Sequence, residues 1–249
     1  MKIGIFPNDR PECPAQMTAR GIQRDQYARE VQAFIRARGH EVVQEEEEAD
    51  VWISLGGDGT MLGAVRHANG VPVLGINLGN VGFLTDVGKA DGFTALTALL
   101  DGRYTVQNRI MLEAAKGSIA VNELVAKCNR LTRYEVRIDG EPLFNLRADG
   151  IIIATPTGST AYNRSAGGPI LLPQSASFAI TPICAVDAAA PSWVVPATGK
   201  ISLIAQRDVS VELDGALITS LPAETALTVR RAVQSARFIV TDKNGGTSC

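Results

Sequence analysis

The feature that most constrains this chain is a compact apolar run, Val51-Trp52-Ile53-Ser54-Leu55, that passes directly into Gly56-Gly57-Asp58-Gly59-Thr60. Five residues of that composition predict a buried strand, and the glycines force a sharp turn behind it. A helical pattern from Met61 to about Asn69 follows, closed by Gly70, and then a second apolar run, Val71 to Ile76. Strand, glycine turn, helix and strand in that order make a βαβ unit of a parallel sheet. In such sheets ligands bind beyond the carboxyl ends of the strands, where this glycine turn falls.

The neighbouring segments extend the pattern. Lys2 to Phe6 reads as a first buried strand. Ile22, Val31, Phe34 and Ile35 recur at near-helical spacing between about Arg20 and Arg38, with Gly39 as a stop. Glu41 to Gln44 reads as a short strand and Asp91 to Leu100 as a helix. Past residue 100 the pattern changes to alternating, β-branched segments. Asp139-Gly140 between Tyr134–Ile138 and Pro142–Leu146 predicts a hairpin, as does Asp214-Gly215 between Val209–Leu213 and Ala216–Ile218. Further strands are expected at Ile201–Ala205, Ala226–Val229 and Phe238–Thr241. The reading is an α/β N-terminal domain with a parallel Rossmann-like sheet over residues 1–100, then an all-β, β-sandwich-like domain over residues 101–249. The extreme C-terminus is allowed to pack back on the first domain, and the final NGGTSC is expected to fray.

Composition narrows the function classes. A formal net charge of -2 over 249 residues argues against general nucleic-acid binding, which needs a basic surface. No run approaches the roughly 20 apolar residues of a membrane span, and the apolar start MKIGIF is too short for a signal peptide. Cys13, Cys128, Cys184 and Cys249 are scattered without CxxC spacing, so a reducing cytoplasm is expected rather than disulfides or a zinc site. His40 and His67 have no partner at metal-ligand spacing and read as structural or solvated. The acidic run Glu45–Glu48 reads as a solvated turn, because four adjacent side chains cannot converge on one ion.

Two segments carry chemistry. At Gly56–Thr60 the glycines allow close backbone approach to phosphate oxygens, and the following helix offers free N–H groups. Asp58 then stands where it would face phosphates, which is unfavourable unless it binds a metal ion or takes a proton from a hydroxyl. The alternative is that Asp58 caps its helix. The second segment is Asp149-Gly150-Ile151-Ile152-Ile153-Ala154-Thr155-Pro156-Thr157-Gly158-Ser159-Thr160-Ala161-Tyr162, a strand ending in clustered hydroxyls and followed by Ser165, Gly167, Gly168 and Pro169. Such a loop can present amides and hydroxyls to ribose or phosphate, or it can be a Ser/Thr turn bonded to itself. Asn122-Glu123 interrupts the apolar stretch Ile119–Val125, and either structural pairing or ligand contact explains so costly a pair. GxxxxGK[ST], GxGxxG and GxSxG do not occur, which removes P-loop, dinucleotide-fingerprint and hydrolase-elbow readings.

Taken together, GGDGT (56–60), NVGFLTD (80–86), NE (122–123) and DGIIIATPTGSTAYNRSAGGP (149–169) resemble the NAD kinase family, in the family's order and over most of the chain. GGDGT alone is shared with diacylglycerol kinases, sphingosine kinases and phosphofructokinases. TPTGSTAY with NE between is specific. The resemblance implies transfer of the γ-phosphoryl of ATP to the 2′-hydroxyl of the adenosine ribose of NAD, with Mg²⁺ or another divalent metal that protein ligands alone do not fix. It implies Asp58 as the residue activating that hydroxyl. It implies NAD contacts from Asp58, Gly59, Phe83, Asn122, Glu123, Arg147, Asp149, Thr160, Ala161, Tyr162 and Ser165. Phosphate or ATP contacts are expected from Gly56, Gly57, Gly59, Thr60, Thr157 and Ser159. A homodimer or homotetramer through the β domain is also implied.

One segment departs from the family pattern. Thr181-Pro182-Ile183-Cys184-Ala185-Val186-Asp187-Ala188-Ala189-Ala190-Pro191 lacks the histidine and arginine that family members commonly carry there, which bears on substrate affinity and donor choice. A non-catalytic NAD or NADP sensor of the same fold is the alternative, and it would more naturally show a damaged GGDGT. A lipid kinase would leave TPTGSTAY unexplained.

Overall fold

A computed structural model describes residues 1–6, 17–44, 48–79, 82–114, 117–186 and 190–241, with side chains from residue 24 onward in the first helix. The chain divides into two compact units, one from Met1–Asn108 together with the chain from Arg237 onward, the other Arg109–Ala236. No helix among the described residues is long and apolar enough to cross a membrane.

The first unit is α/β. Its elements are β1 (Lys2–Phe6), α1 (Met17–Ala37), β2 (Glu41–Val43), β3 (Val51–Leu55), α2 (Asp58–Ala68), β4 (Val73–Asn77), β5 (Val87–Gly88) and α3 (Gly92–Leu100). The strands are parallel in the order β2-β1-β3-β4-β5, and Phe238 lies parallel beside Val73. Every residue of β3 and β4 is buried, which is why VWISL and VLGIN carry so little polarity: a central parallel strand is covered on both faces. Tyr27, Val31 and Ile35, four residues apart, form the buried stripe of α1. The helix closes at Gly39, whose φ of +79° lets its N–H turn back to the Arg36 carbonyl at 3.0 Å. The chain leaves β1 for β2 on one side and continues to β3 on the other, so strand order reverses between β1 and β3. The glycine turn leaves β3 at that switch point.

The second unit is mostly β. The strands are β6 (Tyr104–Glu113, which crosses the division), β7 (Ile119–Ala120), β8 (Glu123–Ile138), β9 (Glu141–Ala154), β10 (Ser177–Ile183), β11 (Trp193–Pro196), β12 (Ile201–Ala205), β13 (Val209–Leu213), β14 (Ala216–Leu221) and β15 (Ala226–Thr241, which crosses the division after Ala236), with the short α4 (Tyr162–Ser165) between β9 and β10. β8 is the hub. It pairs with β9 at Glu123–Lys127 and again at Thr132–Ile138, with an irregularity between, and its other edge is shared by β13 at Leu124–Lys127 and β12 at Tyr134–Ile138. All these pairings are antiparallel. The core includes Leu124, Ala126, Tyr134, Val136, Ile151, Ile153, Phe178 and Ile180.

Several sequence expectations need correction. The helix placed from Met61 starts at Asp58. The strands placed at Ala226–Val229 and Phe238–Thr241 are one strand, β15. β5, β6, β7, β10 and β11 have no counterpart among the sequence expectations. Both Asp-Gly hairpins form, with left-handed φ at Asp139 and Gly140 (52° and 92°) and at Asp214 and Gly215 (48° and 77°), as two-residue turns of primed type require. His67 stands edge-on to Trp52 at 4.4 Å between ring centroids, with Phe6 at 5.3 Å, and His40 Nδ1 lies 3.1 Å from the N-terminal amine. Glu45–Glu47, Asn80-Val81, Asp187 and the final NGGTSC lie outside the described residues, as do Cys13 and Cys249.

Candidate functional site

In the first unit the site is built on the turn after β3. The N-cap of α2 is Gly57, and it makes no side-chain cap. Asp58 is the first helical residue, and its carboxylate does not cap its own helix. It reaches the segment after β4 instead. Oδ2 accepts the Phe83 N–H at 2.9 Å. Oδ1 accepts the Leu84 N–H at 3.1 Å and the Thr85 hydroxyl at 3.1 Å. Thr85 is fully buried and in turn accepts from Asn77 Nδ2 at 2.8 Å, while Asn77 Oδ1 accepts the Gly79 N–H at 2.8 Å. The carboxylate is therefore the end of a chain of charge-assisted and neutral hydrogen bonds that fixes its direction.

Two glycines make this arrangement possible. A Cβ on Gly82 would run into the Asp58 carboxylate, and one on Gly56 would run into the Thr60 side chain. Gly57 has open space about its Cα, so a ligand can approach the backbone there. Gly59 is half-buried and Thr60 buried in the first turn of α2. Phe83 spends its N–H on Asp58 and leaves its ring 67% exposed.

In the second unit the polar pair Asn122-Glu123 sits where the bend after β7 enters β8. All six backbone polar groups of residues 121–123 are spent. The Val121, Asn122 and Glu123 N–H groups donate to the Asp214 carboxylate at 3.0, 2.7 and 3.3 Å. The Val121 carbonyl accepts from Thr155 Oγ1 at 2.6 Å, the Asn122 carbonyl from the Thr155 N–H at 2.8 Å, and the Glu123 carbonyl from the Asp214 N–H at 3.0 Å. Gly158 packs flush on the Asn122 backbone, with no room for a Cβ. What remains is side chain: Asn122 Oδ1, Glu123 Oε2 and Thr157 Oγ1 are buried without a partner. Buried polar atoms are normally paired, and here three without a partner lie around one bend and its neighbouring loop. Burial first, and the Asp214 charge second, push the Glu123 carboxyl up to about 8, which makes it a hydrogen-bond donor at neutral pH.

The TPTGSTAY loop divides its hydroxyls between two uses. Ser159 is fully buried. Its hydroxyl donates to the Pro156 carbonyl at 2.7 Å and accepts the Leu171 N–H at 3.0 Å, so it holds the loop's shape. Asn163, also fully buried, donates to the Ser159 and Pro169 carbonyls at 3.2 and 2.9 Å and accepts from the Thr181 hydroxyl at 2.7 Å. Thr160 and Ala161 are half-buried, and Tyr162 and Ser165 exposed. Arg147 and Asp149 lie on the exposed face of β9; the Arg147 carbonyl accepts the Val186 N–H at 3.0 Å, which ties down the middle of the departing segment.

Known proteins resemble both units. Residues 10–104 match the ATP-NAD kinase N-terminal domain and residues 121–241 the ATP-NAD kinase C-terminal domain. The NAD kinase of Ralstonia nicotianae is 35% identical over 245 residues, covering 84% of this chain and 81% of that relative. The chain belongs to the NAD kinase family. The family's NAD kinase from Aromatoleum aromaticum is 38% identical over 207 residues, covering 77% of this chain and 69% of the relative. The match to the Chlorobium limicola NAD kinase, 49% identical over 145 residues, covers 54% of this chain and spans only half (50%) of that relative's length. Two solved structures share the fold: an NAD kinase from Archaeoglobus fulgidus in complex with ATP (TM-score 0.79, 24% identity, 97% of this chain and 94% of that one) and a yeast NADH kinase complexed with NADH (TM-score 0.81, 23% identity, 98% and 84%).

In this member of the NAD kinase family, three site-shaping residues carry no local signal of their role. Asn77 and Thr85 orient Asp58, and Asp214 anchors Asn122-Glu123. Asp214 is legible only as a turn residue, because its partners lie 91 to 93 positions away.

Proposed function

We propose that this chain is an NAD kinase, transferring the γ-phosphoryl of ATP to the 2′-hydroxyl of the adenosine ribose of NAD to give NADP and ADP. The observation that carries this reading is the Asp58 carboxylate, presented from a glycine turn at the switch point and held by Phe83, Leu84 and Thr85. Oδ2 receives one hydrogen bond and keeps an acceptor position for the proton of the attacking hydroxyl. Phosphoryl transfer depends on positioning and charge neutralisation, and a base at the acceptor hydroxyl contributes about 10² to 10⁴ in rate.

The adenosine portion of NAD is assigned to Asn122, Glu123, Thr160, Ala161, Tyr162 and Ser165. The unpartnered Asn122 Oδ1, Glu123 Oε2 and Thr157 Oγ1 support a ligand rich in hydroxyls and ring nitrogens. Phe83 is assigned to the same dinucleotide, as are Arg147 and Asp149, the latter toward the nicotinamide portion. Gly56, Gly57, Gly59, Thr60 and Thr157 are assigned to phosphate. Ser159 is assigned there through the loop it shapes, its hydroxyl being engaged. The names of relatives and of the ATP- and NADH-bound neighbours support the same pair of substrates.

Among the described residues no three His, Cys, Asp or Glu side chains gather as a metal site. A divalent ion would be carried in by the phosphates of ATP and neutralise their charge, leaving the remaining Asp58 Oδ2 position to the hydroxyl proton. Self-association is supported by the exposed Leu217 and Ile218 on β14, and a reducing cytoplasm is proposed from the scattered spacing of the four cysteines. The test is purified protein with ATP, magnesium and NAD, read by an NADP-specific dehydrogenase. NADP formation is expected; NAD binding without product would replace the kinase by a sensor.

A further inference from the structure

Residues 121 and 122 lie outside any strand, so their N–H groups have no ladder partners, and a buried N–H without a partner is costly. In this chain three consecutive N–H groups, those of Val121, Asn122 and Glu123, point at one carboxylate, that of Asp214. Three successive amides turned toward one anion form a nest. The anion here is part of the protein, is only 7% exposed, and returns its own N–H to the Glu123 carbonyl.

Resting on the assignment of Asn122 and Glu123 to NAD, we propose that Asp214 is the positioning residue of the dinucleotide site, clamping the 121–123 bend so that both side chains project from a fixed backbone. Thr155 holds the carbonyls of Val121 and Asn122, and Asp214 holds the remaining four groups. Removal of Asp214 frees three donors at once, and the bend can then turn to satisfy them elsewhere.

The residue type follows from its place. Asp214 has φ +48°, a left-handed conformation that Asp, Asn and Gly adopt most readily. Of these, Asp alone is acceptor-only when ionised, with two oxygens for three N–H donors. Asn would turn an amide N–H against one of them. The same carboxylate lies close enough to the Glu123 carboxyl to raise its affinity for a proton. It therefore acts on the Glu123 side chain as well as on its backbone.

Asp214→Gly keeps the left-handed turn and deletes the carboxylate; Asp214→Asn keeps the shape and deletes the charge. Each is compared with wild type by thermal melting, by calorimetric titration with NAD in the absence of ATP, and by ¹³C NMR titration of the Glu123 carboxyl. Asp214→Gly is expected to weaken NAD binding roughly tenfold or more, and Asp214→Asn by less. The Glu123 midpoint is expected to fall in both. A folded Asp214→Gly variant that binds NAD within about twofold of wild type, with Glu123 titrating unchanged, would overturn the proposal. The NMR titration needs no nucleotide. A wild type that binds no NAD would therefore refute the proposed function, while the midpoint still decides on Asp214.

Discussion

The buried acid Glu123 allows a quantitative prediction about stability. Burial, and to a lesser degree the Asp214 charge, raises its carboxyl from an ordinary 4.5 to about 8, and the side chain is only 6% exposed. Between those two values the folded protein holds a proton that the unfolded chain has released. Stability from this group is fully present below the unfolded value and falls as pH rises toward the folded one. The slope for one such group is about 1.4 kcal/mol per pH unit. Glu123→Gln keeps the shape of the neutral acid but cannot titrate. Urea unfolding of wild type and variant at about pH 5.5 and 7.5, followed by circular dichroism, isolates the effect, because other titrating groups cancel in the difference. Wild type should lose roughly 2 to 3 kcal/mol relative to Glu123→Gln across that interval. A difference that stays flat with pH would refute the reasoning, since it would mean that Glu123 is ionised in the folded protein throughout.

Other perturbations read the remaining parts of the site. Thr85→Val removes the hydroxyl between Asn77 and Asp58 and should lower kcat about tenfold with little change in the KM for NAD. Gly82→Ala pushes a methyl into the space of the Asp58 carboxylate; we expect activity to fall at least as far, with a loss of roughly 1 to 3 kcal/mol in unfolding free energy. Gly158→Ala places its methyl against the Asn122 backbone, so it should raise the KM for NAD more than it lowers kcat. A kinetic series on the three variants, with melting curves, checks all of them.

How much of this was legible before the structure differs from element to element. VWISL and the Asp-Gly turns were readable because their signals are local: an uninterrupted apolar run and two residues that accept left-handed φ. β10 was hidden by Pro182, which ordinarily argues against a strand. Pro182 pairs with Ile151 of β9 only, beyond the Ser177–Ile180 stretch that also pairs with β11, so at that point β10 is an edge and can spare an N–H. The start of α2 was placed late because three glycines precede Met61, and helix propensity underrates a turn built for close backbone approach. At the site, residue types were readable and their wiring was not. Asp58 suggested either a cap or a base, and the partners that decide against the cap lie 25 to 27 positions downstream. Asp214 shows the same limit, since a turn residue and an amide-binding carboxylate look alike in one dimension.

In the proposed function, Asp58 takes the proton from a ribose hydroxyl as phosphorus arrives. The most direct measurement is ³¹P NMR of the products formed from NAD and ATP by wild type and by a folded Asp58→Asn variant. Wild type should give ADP and a new phosphomonoester at the adenosine 2′ position, and the variant should give essentially none. A variant that phosphorylates the same hydroxyl at wild-type rate, or a wild type that phosphorylates a different position, would contradict it.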